Sequence, residues 1–419
     1  MIIELPYGET TVRAEVPDGN VLGVLLPRER NAESTVKESV FQALKNPVGD
    51  FRGLNEVGMG DRVVIVVDDH TRPLPSGKIL PVLLSELEKS GVGRERVRVF
   101  FATGTHRDVT MEDALKLIGA LAERVEWVSN GRGVNGKFEY VGRTSRGNEV
   151  KVNEAFLEGD FRIIISDVEY HYFAGYGGGR KSILPGVSSY ETIQFNHCLM
   201  FDEGARAGVL DGNPVHMDML EAAELAGVDF TLQVVLNSRR EIVHAFSGGL
   251  IEPFMRAVEK VDEMYKVEVD ERADVVVVAA DGYPHDIDLY QAFKAISNAL
   301  NIVKDGGVII LVAECREGYG NELYFEWMKK YNSSEDVKNA LLERFVIGGH
   351  KVYYHLKAIE NTNILLVSSM NPRVVREVFK LEPCPSLDKA IEKALETVGK
   401  DGTIYVLPKG STTLPVKVK

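Results

Sequence analysis

The chain has 419 residues, 44% hydrophobic and 26% charged, an ordinary balance for a globular protein of two or three domains at about 150 residues each. Its net charge of -13 argues against sequence-independent nucleic-acid binding and against an anionic membrane surface, since both need a basic face, whereas an anionic small molecule needs only a few local cations. Three cysteines (Cys198, Cys315 and Cys384) lie far apart with no C-x-x-C pair, which argues against a disulfide framework or a cysteine zinc site.

The opening MIIELPYGETTVRAEV alternates like a strand pair and has no apolar signal-peptide core. The longest apolar run, VVVVAA at residues 275–280, is far too short to span a bilayer, so a cytoplasmic protein without a membrane partner is expected. RVVIVV at 62–67 lacks polar alternation, as expected of a parallel strand covered on both faces. Asp68, Asp69, His70, Thr71, Arg72 and Pro73 follow at once. Two carboxylates, an imidazole and a guanidinium are costly to bury there unless they serve one another or a ligand. A helix cap explains Asp69 or Thr71 but leaves Arg72 over, and a guanidinium fork matches a carboxylate or phosphate. An amphipathic helix follows in ILPVLLSELEKSG, with Leu80, Leu83, Leu84 and Leu87 apolar and Gly91 as its stop.

The next strand, VRVFFA at 97–102, leads into TGTHRDVT, which sets His106 in a turn ahead of a helix beginning near Met111. Alone it reads as a structural histidine; at a strand end equivalent to that of Arg72 it reads as facing the same cleft, because open α/β sheets bind ligands beyond the carboxyl ends of their strands. RIIIS at 162–166 is followed by DVEYHYFAGYGGGRKSILPG, with His171 before a glycine cluster. Gly175, Gly177, Gly178, Lys181 and Ser182 fit a phosphate-binding loop, but Arg180 stands where that loop requires glycine, and the strand end is too distant. Gly177, Gly178 and Gly179 permit close backbone approach to a bound group, and a lysine on such a loop serves as phosphate cation, base or point of covalent attachment. ETIQFNHCLM puts His197 on a helix; no H-x-x-x-H or H-x-H pair supports zinc chelation, and His216 in GNPVHMDML reads as a structural helix-start residue. A further strand, TLQVVL, covers 231–236.

After residues 266–272 the pattern restarts. DVVVVAA, GGVIILVAE, NILLVSS and GTIYVLP alternate with helical stretches at 289–303, 321–331, 334–345, 371–379 and 387–398. The expected architecture is α/β: a first domain over 1–268 carrying the loop and histidines, and a Rossmann-like second domain over 269–419, with mostly parallel, helix-covered sheets enclosing an interdomain cleft and the last segment packing back on the first domain. In LYQAFK, Tyr290 and Lys294 share a helix face, with Gln291 beside them. The plain reading is packing and solvation; the functional one has them line the cleft. Histidines 244, 285, 350 and 355 have plain surface or packing readings, and the role of Tyr353 and Tyr354 stays open.

Together DDHTRP, GTHR, HYFAGYGGGRKSILPG, the NH of FNHCLM, and LYQAFK resemble the nickel-dependent lactate racemase (LarA) family. The set is specific, each motif singly is weak, and the likeness runs over most of the chain. The resemblance implies inversion of a 2-hydroxyacid at C2 by hydride transfer through a 2-keto acid. It implies a nickel pincer nucleotide (a pyridinium-3-thioamide-5-thiocarboxylate mononucleotide with nickel) tethered at Lys181, with His197 as the protein ligand to the metal. It makes His106 and His171 the paired bases, Asp69 an orienting carboxylate, and Arg72, Lys294, Tyr290 and Gln291 the substrate contacts. Transient partners are then the cofactor-making proteins, and a homo-oligomer is compatible with the sequence. The competing readings are a Mg-dependent nucleotide-using phosphotransferase, with Asp68 and Asp69 on the metal, and a non-catalytic nucleotide-binding module; Arg180 weighs against both.

Overall fold

The computed structural model describes residues 1–346 and 348–418, which form two compact units. The unit Glu29–Met264 is built on a six-stranded sheet in the order Ile242–Gly248, Phe230–Leu236, Phe161–Asp167, Val63–Val67, Val97–Phe101, Glu126–Ser129. Every pairing is parallel except the edge pair Ile242–Gly248 with Phe230–Leu236. All five residues of Val63–Val67 and of Val97–Phe101 are buried, as expected for strands covered on both faces, and the one charged residue among them, Arg98, pairs with Glu126 and Glu158. Helix Ser76–Lys89 buries Leu80, Leu83, Leu84 and Leu87 against this sheet, as the spacing predicts, and Gly91 follows in a left-handed conformation.

Chain order in the sheet decides where a site can form. From Val63–Val67 the chain steps outward to Val97–Phe101 and Glu126–Ser129; it then crosses to Phe161–Asp167 on the other side and continues to Phe230–Leu236. The direction reverses between Val63–Val67 and Phe161–Asp167, and the carboxyl ends of strands at such a switch point leave a crevice. Val67 pairs with both Phe101 and Ile165, so residues 68–72, 102–106 and 167–171 emerge side by side.

Asn130, fully buried just after Glu126–Ser129, ties these exits together. Its Nδ2 donates to Gly104 O at 3.1 Å and Ser188 O at 2.7 Å, and its own N–H donates to Thr103 Oγ1 at 3.0 Å. The turn carrying His106 and the segment entering helix Tyr190–Cys198, which carries His197, therefore share one anchor.

The other unit comprises Met1–Arg28 and Tyr265–Lys419. Its sheet is all parallel, ordered Glu382–Cys384, Asn363–Val367, Val303–Val312, Ala273–Ala279, Ile404–Leu407, Val21–Val24. The four strands read from the second half of the sequence are all present, and the helix expected over 387–398 spans Leu387–Val398. The domain assignment of the N-terminus needs correction. The expected hairpin forms (Ile2–Tyr7 with Thr10–Glu15), but Ile3, Leu5, Ala14 and Val16 bury against Val275, Val277 and Ile310, and Val21–Val24 pairs with Ile404–Leu407. The first 28 residues thus belong with the second unit, because only its sheet supplies the apolar face and open edge that they complete. The last segment is also corrected: Leu414–Lys417 pairs with Lys266–Val269 within its own unit. No described helix is long and apolar enough to cross a membrane.

Asn130→Ala is expected to leave two buried carbonyls without donors and to destabilise the first unit by about 2–4 kcal/mol. Urea unfolding of the variant measures this, and a loss below about 0.5 kcal/mol would mean that water replaces the amide.

Candidate active site

Beyond Val67 the chain turns tightly on Asp69. Its Oδ1 accepts the Thr71 N–H at 3.0 Å and the Thr71 hydroxyl at 2.5 Å, which leaves Oδ2 facing His106 Nδ1 at 2.8 Å. His106 reaches that position through a turn closed by its own N–H on Thr103 O at 2.8 Å. Burial acts to raise the Asp69 carboxyl, yet the hydrogen bonds of His106 and Thr71 outweigh it and hold the group below its ordinary value. An ionised Asp69 only accepts, so His106 carries a proton on Nδ1, and the tautomer this selects presents Nε2 as the acceptor. The imidazole is 42% exposed and open to a substrate. The helix-cap reading of Asp69 does not hold, since Ser76–Lys89 begins after Pro75 with no side-chain cap.

Arg72 pairs with Glu169, a carboxylate that sequence reasoning passed over. Two more acids lie beside it. Asp68 and Asp167 end adjacent strands, and Asp68 Oδ2 accepts the Asp167 N–H at 3.2 Å. Burial pushes Asp68 up to about 6, against the lowering effect of its hydrogen bonds with Asp167. It pushes Asp167 well above the usual carboxylate range, where Asp68 and Glu169 raise it further. A pair this close retains a proton between its members. That proton removes one negative charge from around Arg72 and leaves the guanidinium attractive to an anion.

The glycine-rich loop has the opposite polarity from a phosphate loop. Arg180, 1% exposed, sits inside it and gathers its carbonyls. Nη1 donates to Gly177 O at 3.3 Å and Gly178 O at 3.0 Å, and Nη2 to Ala174 O at 2.8 Å and Tyr176 O at 2.9 Å. The N–H groups are committed too: Gly177 to Glu169 O at 2.7 Å, Gly179 to Ser166 Oγ at 2.8 Å and Gln233 Oε1 at 3.0 Å, Lys181 to Gly178 O at 3.1 Å. A phosphate needs converging N–H donors, and here carbonyls converge on a cation. The loop glycines were expected to admit a ligand; instead the protein fills the room at Gly178 and Gly179, both left-handed. A Cβ on Gly178 would lie 2.6 Å from Asp167 O, and one on Gly179 would lie 3.0 Å from Phe254.

Phe173, also unremarked in the sequence, joins the remaining groups. Its ring centre lies 4.5 Å from that of His171, 5.3 Å from that of His197 and 5.8 Å from Lys181 Nζ. His197 reaches it from the last turn of Tyr190–Cys198, a helix capped by Ser189. His171 accepts the Ala174 N–H on Nδ1 at 3.2 Å, so its own proton sits on Nε2. Burial, then the charges of Lys181 and Arg72, drives its pKa well below the usual value and keeps it neutral. Among the described residues the half-buried Lys181 amine has no acceptor and no ion-pair partner. Burial first, then Arg72 and Arg180, pushes it well below the ordinary lysine range, toward the neutral amine.

Asp69, Arg72, His106, His171, Lys181 and His197 are thus all carried by the unit Glu29–Met264. Tyr290, Gln291 and Lys294 lie on helix Leu289–Ala299 of the other unit, where Gln291 N–H caps onto Asp288 and Tyr290 packs edge-on to Tyr324. Buried Lys351, missed in the sequence, lies 5.1 Å from the Tyr290 ring. Tyr353 and Tyr354 stand on the same helix as Lys351, Gly349–Asn361. His216 is structural as read, accepting Arg180 Nε at 2.9 Å.

No group of three or more His, Cys, Asp or Glu side chains among the described residues could hold a metal ion. A metal here needs donors from elsewhere, and the residues fit a tethered organic cofactor that supplies them. The Lys181 amine, without an acceptor among the described residues and pushed toward its neutral form, suits a covalent bond, and His197 lies against the same aromatic ring.

Known proteins bear directly on this geometry. The family model described as the lactate racemase N-terminal domain matches residues 7–208, and that of the lactate racemase C-terminal domain matches 268–414. The lactate racemase of Thermoanaerobacterium thermosaccharolyticum is 34% identical over 423 residues, covering 98% of each chain. That of Lactiplantibacillus plantarum is 30% identical over 97% of this chain and 98% of its own. The structure of the T. thermosaccharolyticum lactate racemase apoprotein superposes with a TM-score of 0.89 at 33% identity, covering 99% of this chain and 100% of that one.

The Asp68–Asp167 pair predicts a pH dependence of stability. Folded, the pair keeps a proton up to about pH 6 or beyond, whereas the unfolded chain releases it near pH 4. The folded state binds more protons in that window, so stability falls as pH rises through it, by at most about 1.4 kcal/mol per pH unit for one proton. Asp167→Asn, which needs no proton, is expected to flatten this decline and to gain on the wild type toward pH 8. Urea unfolding of the proteins at a series of pH values checks it; parallel curves would mean that both acids ionise in the folded state.

Proposed function

The chain belongs to the lactate racemase family and is an isomerase, and from this premise we propose that it inverts C2 of lactate or a related small 2-hydroxyacid, using a nickel pincer nucleotide joined to Lys181 by a thioamide bond and held through its metal by His197. The observation that carries the reading is the Lys181 amine, without an acceptor among the described residues, set over the Phe173 ring and pushed toward its neutral form by burial and by the charges of Arg72 and Arg180. A thioamide bond needs an amine lone pair, which a lysine in an ion pair lacks. When bound, the cofactor supplies a hydride acceptor and donor for C2, so the substrate passes through a planar 2-keto acid open on both faces.

The chain's own residues bind, orient and move protons. Arg72, with one side of its fork on Glu169, offers its remaining N–H groups to the substrate carboxylate. Asp69 fixes the His106 tautomer, and Nε2 takes the hydroxyl proton as C2 loses hydride. His171, protonated on Nε2, begins as a donor to the substrate oxygen on the other side. The opposite enantiomer requires the two roles to exchange, and for His171 this means releasing Nδ1 from the Ala174 N–H. Tyr290, Gln291 and Lys294 are further substrate contacts by family resemblance. Attachment of the cofactor makes the cofactor-making proteins transient partners. The nucleotide-phosphate readings lose their basis, because the loop offers carbonyls where a phosphate needs N–H groups.

Lys181→Ala is expected to fold and to lose both the cofactor adduct and all turnover. The intact mass after co-expression with the cofactor-making proteins reads the adduct directly, and an adduct on the variant would rule out the tether.

His106→Ala and His171→Ala should each abolish net racemisation. In single turnover each variant should still convert one enantiomer to trapped 2-keto acid and slow the other by about 10²–10⁴, with opposite preferences. Equal residual rates for both enantiomers in both variants would refute the two-base arrangement.

A further inference from the structure

Arg180 is buried without a counter-ion. Its five N–H contacts go to four backbone carbonyls and His216, and its guanidinium lies 4.4 Å from the Phe254 ring centre. No carboxylate pairs with it among the described residues, although a buried guanidinium ordinarily requires one. The four carbonyls belong to residues 174, 176, 177 and 178, the segment immediately before Lys181. The fork therefore fixes the path by which the loop delivers that lysine. Its unneutralised charge is also fixed next to the amine.

We propose that Arg180 is a positioning residue for the cofactor tether: it sets the direction in which the loop presents the Lys181 amine and, as a cation without a counter-ion, makes that amine reactive toward acyl donors near neutral pH. The inference rests on reading Lys181 as the point of attachment. Burial opposes the charge and lowers the guanidinium to about 9, but four carbonyl dipoles solvate it and keep it a cation at neutral pH. Its field acts at short range in a medium with little water to screen it. Burial and then Arg72 oppose the ammonium form of Lys181 most and Arg180 adds to them, and of the two guanidiniums only Arg72 has an acid, Glu169, paired with it. This also explains an arginine where a phosphate loop needs glycine: the side chain occupies the space that a phosphate takes there and imposes the reverse polarity.

The test measures the amine itself on the full chain made without cofactor, by brief acetylation with acetic anhydride across a pH series. In that reaction the amine nitrogen attacks a carbonyl carbon, the N–C bond forms, and the C–O bond breaks with acetate leaving on its electron pair. The nitrogen then loses a proton to buffer. Peptide mass spectrometry reads Lys181 against exposed Lys137 in the same sample. Wild-type Lys181 should reach half its maximal rate well below the pH at which Lys137 does. Arg180→Met should raise that midpoint by about half a pH unit or more, a threefold change in neutral amine at a given pH, and lower the plateau rate. Arg180→Lys keeps the charge but cannot hold four carbonyls, so its midpoint should stay while its plateau falls. An unmoved midpoint in Arg180→Met overturns the proposal. If that variant does not fold, an unchanged plateau in Arg180→Lys overturns it instead. The wild type's adduct mass is read separately: absence of an adduct on Lys181 sinks the tether reading and leaves the acetylation result standing.

Discussion

The strand Val63–Val67 is held between two parallel neighbours at equal register, with Val67 opposite both Phe101 and Ile165. Everything chemical in the first unit depends on that alignment. A register shift of one residue would turn every side chain of the strand to the other face and carry Asp69 away from His106. Both faces of this strand are covered, so such a shift would leave it buried but set every side chain into the wrong packing position. Close packing on the two faces thus enforces the geometry of the polar groups beyond it. Asn130 extends this order past the strand ends by satisfying carbonyls from two separate turns.

The polar groups settle into two compartments of opposite character. Around Arg72 stand Asp68, Asp69, Asp167 and Glu169, an excess of acid moderated by a retained proton. Around Lys181 no acid stands in hydrogen-bonding reach, and burial with the charges of Arg72 and Arg180 outweighs the opposing pull of Glu169 and Asp68. The first compartment keeps a guanidinium available to a carboxylate, and the second keeps a lysine available as an amine. Phe173 and His171 lie between the chemistry of the two, with His171 neutral because burial, and after it the nearby cations, oppose its protonation. A buried imidazole and an amine both pushed toward their neutral forms match a site that moves protons while binding an anion.

The sequence by itself determined the four central strands of each sheet and helix Ser76–Lys89, because β-branched runs and the spacing of Leu80, Leu83, Leu84 and Leu87 have few other ways to bury, whereas the edge strands Glu126–Ser129, Ile242–Gly248, Val21–Val24 and Glu382–Cys384 came only with the fold. It also brought out Asp69, Arg72, His106, His171, Lys181 and His197 as candidates, since polar residues just past apolar strands, or on a glycine loop, lack a packing explanation. Only the tertiary structure decided which unit the first 28 residues join, because an edge strand is completed by whichever sheet offers it a free edge, and that pairing is non-local. Only it revealed Glu169 as the partner of Arg72 and Phe173 as the ring between His171, His197 and Lys181, since neither a lone glutamate nor a lone phenylalanine carries a pattern. The loop's polarity was likewise beyond the sequence. Whether a glycine-rich segment turns its N–H groups or its carbonyls inward depends on the sign of the charge buried inside it, and the fold placed Arg180 there.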